Sequence, residues 1–154
     1  MKGYKVTTGT VFSGTVFSYI DTAGLISDPG ISEAKDLGFR LIIDLRLPDE
    51  DGATEEKATA KRVGIRYVNI PLAADDTALN QIARIETILS DEENLPTLIH
   101  CESANRVGAL WALYRNQQRV DSFVAIEEAR AIGLTSREPK VRQLLNLPAD
   151  AKSR

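Results

Sequence analysis

The chain reads as an α/β domain of three layers: a central, mostly parallel sheet flanked by helices. Three observations predict this. Residues 40–45 and 97–100 are compact apolar runs without polar alternation, as expected of strands buried on both faces. Segments with apolar residues at helical spacing alternate with such runs, the pattern of parallel strands joined by crossover helices. Glycine or proline marks most of the junctions between them.

The 154 residues suffice for one domain with a proper core, spanning 1–154. No internal repeat or linker-like composition divides them. Residues 10–17 alternate apolar and polar side chains around Ser13 and Gly14, which suits a small hairpin. A short helix over 31–37 closes at Gly38. After the strand at 40–45, Pro48 and the acidic residues 49–51 mark a loop. A helix over 53–63 stops at Gly64, and the strand 65–70 ends at Pro71. Leu79, Ile82, Ile85, Ile88 and Leu89 recur at helical spacing. Pro96 precedes the strand 97–100. Val107, Leu110, Trp111 and Tyr114 then form an i, i+3, i+4, i+7 stripe that faces a core. Two further helices are predicted, one from the N-cap Asp121 to Ile132 with Gly133 as its stop, the other over 139–145.

Hydrophobic residues make up 43% and charged residues 27% of the chain, a globular composition. The formal net charge of −3 argues against nucleic acid as a partner, because backbone binding needs clustered Lys and Arg. No apolar run is long enough to span a bilayer, so no membrane is expected; none follows the N-terminus as a secretory signal would, although a chain whose signal had been removed would read the same. The single cysteine suits a reducing compartment, and a cytoplasmic location is expected.

The only cysteine and the only histidine are neighbours, in the run His100, Cys101, Glu102, Ser103, Ala104, Asn105, Arg106. In parallel α/β sheets ligands sit beyond the carboxyl ends of the strands, which is where this run falls. A thiolate is favoured where a helix N-terminus and a cation lie close; Cys101 precedes a helix that begins near Ala104, with Arg106 in its first turn. Successive backbone N–H groups there form an anion-binding nest, and a guanidinium clamps two oxygens of a phosphate or sulfur oxyanion. The competing reading is a buried structural cysteine. Asp75 and Asp76 follow a strand about 25 positions before the cysteine; either could serve as a general acid, or Asp76 or Thr77 could cap the next helix. Asp44 and Arg46 flank a strand end and suit a bracing role. The acidic loop 49–51 lacks regular ligand spacing and a histidine, so it reads as a solvated turn and no metal is expected.

The stretch from Leu98 to Leu110 resembles the His-Cys…Arg loop of cysteine-dependent phosphatases. It is most similar to the bacterial dual-specificity and tyrosine-phosphatase-like group that includes the phosphatase-like domain of beta-lactamase-hydrolase-like proteins. The similarity extends to residues 40–46 with the acidic turn after them, to 64–71 and to 131–135. The resemblance implies a cysteine-phosphatase-like fold and phosphomonoester hydrolysis through a phosphocysteine, with no cofactor. Cys101 would be the nucleophile and His100 would orient the loop. Arg106 would bind the anion, Asp75 or Asp76 would act as the acid, and the backbone of Glu102, Ser103, Ala104 and Asn105 would cradle the oxygens. Four residues separate Cys101 from Arg106 where five are usual, a spacing similar to that of rhodanese-type sulfurtransferases, which carry a persulfide. Ala104 stands where glycine is expected and Val107 where a hydroxyl is expected. A catalytically silent anion-binding module is therefore a third expectation. The substrate is in each case a phosphorylated or sulfur-containing anion.

Overall fold

The computed structural model describes residues 6–8, 20–73 and 79–150. Five strands, β1 (Val6–Thr8), β2 (Ile20–Ala23), β3 (Leu41–Asp44), β4 (Arg66–Asn69) and β5 (Thr97–His100), form one sheet in the order β1-β2-β5-β3-β4. The last four run parallel, and β1 pairs antiparallel to β2 at the edge. The helices are α1 (Asp28–Asp36), α2 (Ala53–Val63), α3 (Leu79–Ser90), α4 (Asn105–Gln117), α5 (Ser122–Ala131) and α6 (Glu138–Leu144). The expected α/β fold with a mostly parallel sheet is the one observed. The hairpin expected at 10–17 lies outside the described residues. Strand β2 was not expected: Ile-Asp-Thr-Ala has neither an apolar run nor a clean alternation, and its pairing with β5 is what makes it a strand.

Local chemistry sets the boundaries. Ser27 caps α1, its hydroxyl accepting from the Gly30 amide at 3.2 Å. Asp121 caps α5 by accepting from Phe123 and Val124. Gly64 ends α2 in the left-handed region, where glycine carries no Cβ penalty.

Side-chain alternation along the strands sends two cores to opposite faces. On one face Ile20, Leu41, Ile43 and Ile99 pack against Ile82, Ile85, Leu110, Trp111, Ile126 and Val141 of α3 to α6. On the other, Ala23, Ile42 and Leu98 pack against Ile31 and Ala34 of α1 and Ala60 of α2. Among the described residues no helix is long and apolar enough to cross a membrane.

β5 lies between β2 and β3, so its C-terminal loop is flanked by theirs. In register, Ala23 and Asp44 both stand beside His100. The Leu45 amide donates to the His100 carbonyl at 2.9 Å, and the Cys101 amide to the Ala23 carbonyl at 3.4 Å. The loop is held from both sides as it leaves the sheet.

Behind that loop α4 meets the α5–α6 connection with no space to spare. A Cβ on Gly108 would fall 2.5 Å from the Leu134 backbone nitrogen. Gly108→Ala is expected to destabilise the protein by about 1–3 kcal/mol through overpacking, although alanine is the better helix former. A lower urea midpoint at unchanged slope would be the reading.

Candidate active site

Cys101 and His100 are adjacent in sequence but face opposite ways. Cys101 belongs to the core beneath α4, whereas the imidazole lies on the α2 side with Asp44. The ring is fully buried. Its Nε2 is 2.5 Å from Glu56 Oε1 on α2, and its Nδ1 faces the Cys101 carbonyl at 3.4 Å. His100 therefore brings its side chain to the base of the loop rather than to the space in front of the sulfur.

Beyond Cys101 the chain turns through residues 102–104 into α4. Ala104 occupies the N-cap position at φ 67°, in the left-handed region. This is where a glycine was expected, and the alanine adopts the same conformation at a steric cost of about 1–2 kcal/mol. Two glycines make room for the turn. A Cβ at Gly133 would lie 2.6 Å from that of Ala104, and one at Gly24 would lie 3.2 Å from the Glu102 carbonyl oxygen. That oxygen accepts from the Leu25 amide at 2.9 Å. An alanine N-cap has no side-chain oxygen, and among the described residues no side chain caps the first-turn amides of α4. These donors stay open to an anion.

Arg106 presents the other half of the cradle. Glu50 takes the guanidinium end-on: Nη1 donates to Oε2 and Nη2 to Oε1, both at 2.5 Å. Nη1 also donates to the Leu72 carbonyl at 3.4 Å. Of five guanidinium N–H groups, those contacts use three. The Nε–H and one Nη2–H remain, a side edge with no oxygen acceptor among the described residues. The hydrogen bonds to Glu50 raise the arginine pKa, burial opposes them, and the nearby Cys101 raises it further. Arg106 in turn holds the Glu50 carboxyl below the usual carboxylate range. Glu50 belongs to the acidic loop that read as a solvated turn. That reading is corrected here: its carboxylate is a partly buried brace for the arginine, and it also accepts from the Leu47 amide.

The remaining predicted residues are accounted for as follows. Cys101 is wholly buried at the floor of the loop, while Glu102 is exposed and Ser103 flanks it at the surface. Asn105 turns its side chain away from the loop. Its Oδ1 accepts from the Thr135 and Arg137 amides at 2.9 and 3.3 Å, and its Nδ2 donates to Ser136 Oγ at 2.8 Å. The Asn105 side chain thus ties the start of α4 to the α5–α6 loop, and its backbone N–H stays at the helix start. Val107 is in the core. Asp75 and Asp76 lie outside the described residues.

Under the loop is a cluster of which the sequence marks Asp44, Arg46 and His100 but not Glu56, Tyr67 or Asn69. The Arg46 guanidinium grips the Asp44 carboxylate through Nε and Nη2, each at 3.0 Å. It donates to Glu56 Oε2 at 2.5 Å and to the Asp51 carbonyl at 3.1 Å. Tyr67 donates its hydroxyl to Asp44 Oδ2 at 2.6 Å, and Asn69 Nδ2 donates to the carbonyls of Asp44 and Arg46. Ligand atoms of Asp44, Glu56 and His100 lie within 4.8 Å of one another, the spacing of a metal site. Here the Arg46 guanidinium bridges the two carboxylates and the imidazole is bonded to one of them, so the trio is already internally paired. Burial pushes the Asp44 carboxyl up, but Arg46, His100 and Tyr67 together hold it below its ordinary value. Burial and Asp44 push the Tyr67 hydroxyl well up.

Residues 15–118 match the sequence profile of the family described as beta-lactamase hydrolase-like protein, phosphatase-like domain. The chain is 29% identical over 100 residues to the beta-lactamase hydrolase-like protein of Xylella fastidiosa; the match covers 62% of this chain but only 22% of that longer protein. The fold is similar to the core catalytic domain of the PP-IP phosphatase SIW14 from S. cerevisiae, solved with citrate (TM-score 0.67, 19% identity, 87% of this chain and 83% of that one). It is also similar to a P. aeruginosa TpbA variant solved with pTyr (TM-score 0.64, 19% identity, 81% and 76%).

Ala104→Gly removes the left-handed alanine and is expected to raise stability by up to about 1 kcal/mol, seen as a higher urea midpoint. For Asp44 the folded pKa is depressed, so its contribution is complete above the unfolded value of about 3.9 and is lost as pH falls through the folded one. Asp44→Asn should cost about 3 kcal/mol near neutral pH. It should also show a shallower loss of stability than the wild type on acidification below about pH 5, measured by urea unfolding across pH.

Proposed function

Because the chain belongs to the phosphatase-like domain family of beta-lactamase hydrolase-like proteins, we propose that it is a cysteine-dependent phosphatase acting on phosphomonoesters. The observation that carries this reading is one arrangement: an uncapped helix N-terminus lies with a guanidinium whose side edge meets no oxygen acceptor among the described residues and whose near neighbour is the lone thiol. Both donor sets suit the equatorial oxygens of a phosphoryl group. In the proposed reaction the Cys101 thiolate attacks phosphorus as the ester P–O bond breaks. Asp75 or Asp76 protonates the departing oxygen. Water then cleaves the S–P bond, releasing phosphate and the thiolate. Neither a metal nor another cofactor takes part. The pTyr held by the TpbA variant is a phosphomonoester and supports this substrate class. A reducing, cytoplasmic setting would keep the single thiol competent.

The spacing of four residues between Cys101 and Arg106 favours a second reading. There the thiolate attacks the sulfane sulfur of thiosulfate, sulfite leaves, and the resulting persulfide passes its outer sulfur to cyanide or a thiol. Burial of Cys101 favours a third, an anion-binding module without turnover.

Turnover assays separate the three. The wild type is expected to release phosphate from an aryl phosphate, and Cys101→Ser is expected to abolish that release. Whichever of Asp75→Asn and Asp76→Asn removes the acid should lower turnover of alkyl phosphates by about 10²–10⁴-fold. Cys101-dependent consumption of thiosulfate without phosphate release would replace the phosphatase reading with the second. Phosphate binding without either turnover would replace it with the third.

A further inference from the structure

Helix α2 carries one residue that reaches the active loop from behind. Glu56 is 3% exposed, on the opposite side of the sheet from α4. Its two carboxylate oxygens are divided between two partners. Oε2 accepts from Arg46 Nη2 and Oε1 from His100 Nε2, both at 2.5 Å. A carboxylate and a carbonyl only accept, so the two contacts together require a hydrogen on each ring nitrogen, the imidazolium form, and the ring cannot turn without losing them. The other ring nitrogen then points at the carbonyl of Cys101, the peptide from which the anion-binding loop departs. Asp44 Oδ1 stands 3.8 Å from Nε2, too far to replace Glu56, and Arg46 and Tyr67 are both committed to Asp44.

We propose that Glu56 is a positioning residue of the reaction. It fixes the His100 ring, the ring fixes the Cys101 carbonyl, and the carbonyl so held keeps the amides after it turned toward the anion. Nothing about the local sequence marks it, since Glu55 and Glu56 are equally suited to the first turn of a helix. The inference rests on the reading of Cys101 as the thiol of an oxyanion site, and holds for a phosphoryl or a sulfur substrate.

The test is the dissociation constant of inorganic phosphate, measured by isothermal titration calorimetry on the reduced protein. Glu56→Gln keeps an oxygen on Nε2 and is expected to stay within about threefold of the wild type. Glu56→Asp keeps the charge but withdraws the oxygen by one methylene, and Glu56→Leu removes it. Both are expected to need about tenfold more phosphate, the worth of one hydrogen bond in the cradle. If Glu56 acts through His100, adding Glu56→Asp to a His100→Gln background brings no further loss, whereas independent structural effects would multiply. Melting temperatures of the variants identify any that fail to fold; the Gln and Asp pair carries the test if Leu does. A wild-type dissociation constant unchanged in Glu56→Asp, or multiplying losses in the double variant, overturns the inference alone. A wild-type protein that binds no phosphate overturns the reading of the site and the inference with it.

Discussion

One guanidinium organises this site without touching it. Arg46 is 2% exposed, and its charge is balanced by Asp44 on β3 and Glu56 on α2. Burying one cation between two carboxylates is tolerable only when the hydrogen bonds are nearly all made. They are, because Asn69, Tyr67 and the Asp51 carbonyl complete the set. The consequence is mechanical. Arg46 pins the 47–52 loop, which carries Glu50 to Arg106. It also shares Glu56 with His100, which faces the carbonyl of Cys101. Both halves of the proposed anion cradle, the arginine and the loop amides, are referred to the same buried charge.

The sheet supplies the separation that this scheme needs. Because strand side chains alternate, neighbouring His100 and Cys101 emerge on opposite faces. The imidazole can then be buried against α2 while the thiol faces α4. A histidine on the same face as the sulfur would compete with the anion for space. The parallel order β2-β5-β3 brings three strand ends, and the loops after them, to one edge. Residues more than fifty positions apart, Glu50 and Arg106, meet there.

Close backbone contacts make the cradle rigid. Gly24, Gly108 and Gly133 each stand where a methyl group would press on the loop or on the segment behind it. Ala104 takes the left-handed turn between them. Gly133 makes room for its methyl group, and its lack of a side-chain acceptor leaves the helix amides without a cap. Asn105 has the opposite duty, spending its amide group on the 135–137 backbone so that the start of α4 cannot drift from the α5–α6 loop.

Much of this was legible in the chain. The apolar runs, the helix periodicities and the glycine stops mark β3, β5 and the six helices, although α1 opens at Asp28 behind its Ser27 cap rather than at Ile31, because burial on both faces and capping are local demands that leave local marks. The pairing of Cys101 with Arg106 is likewise a short-range fact of one loop and one helix turn. Strand β2, the brace Glu50 and the positioning residue Glu56 leave no such mark. Each owes its place to a neighbour distant in sequence: β5 for the strand, Arg106 for Glu50, His100 and Arg46 for Glu56. Local sequence is enough to put a thiol, a guanidinium and a helix start together in one loop, because neighbours along the chain stay neighbours in space. The strand order, which no local pattern encodes, is what sets Glu50 and Glu56 against them.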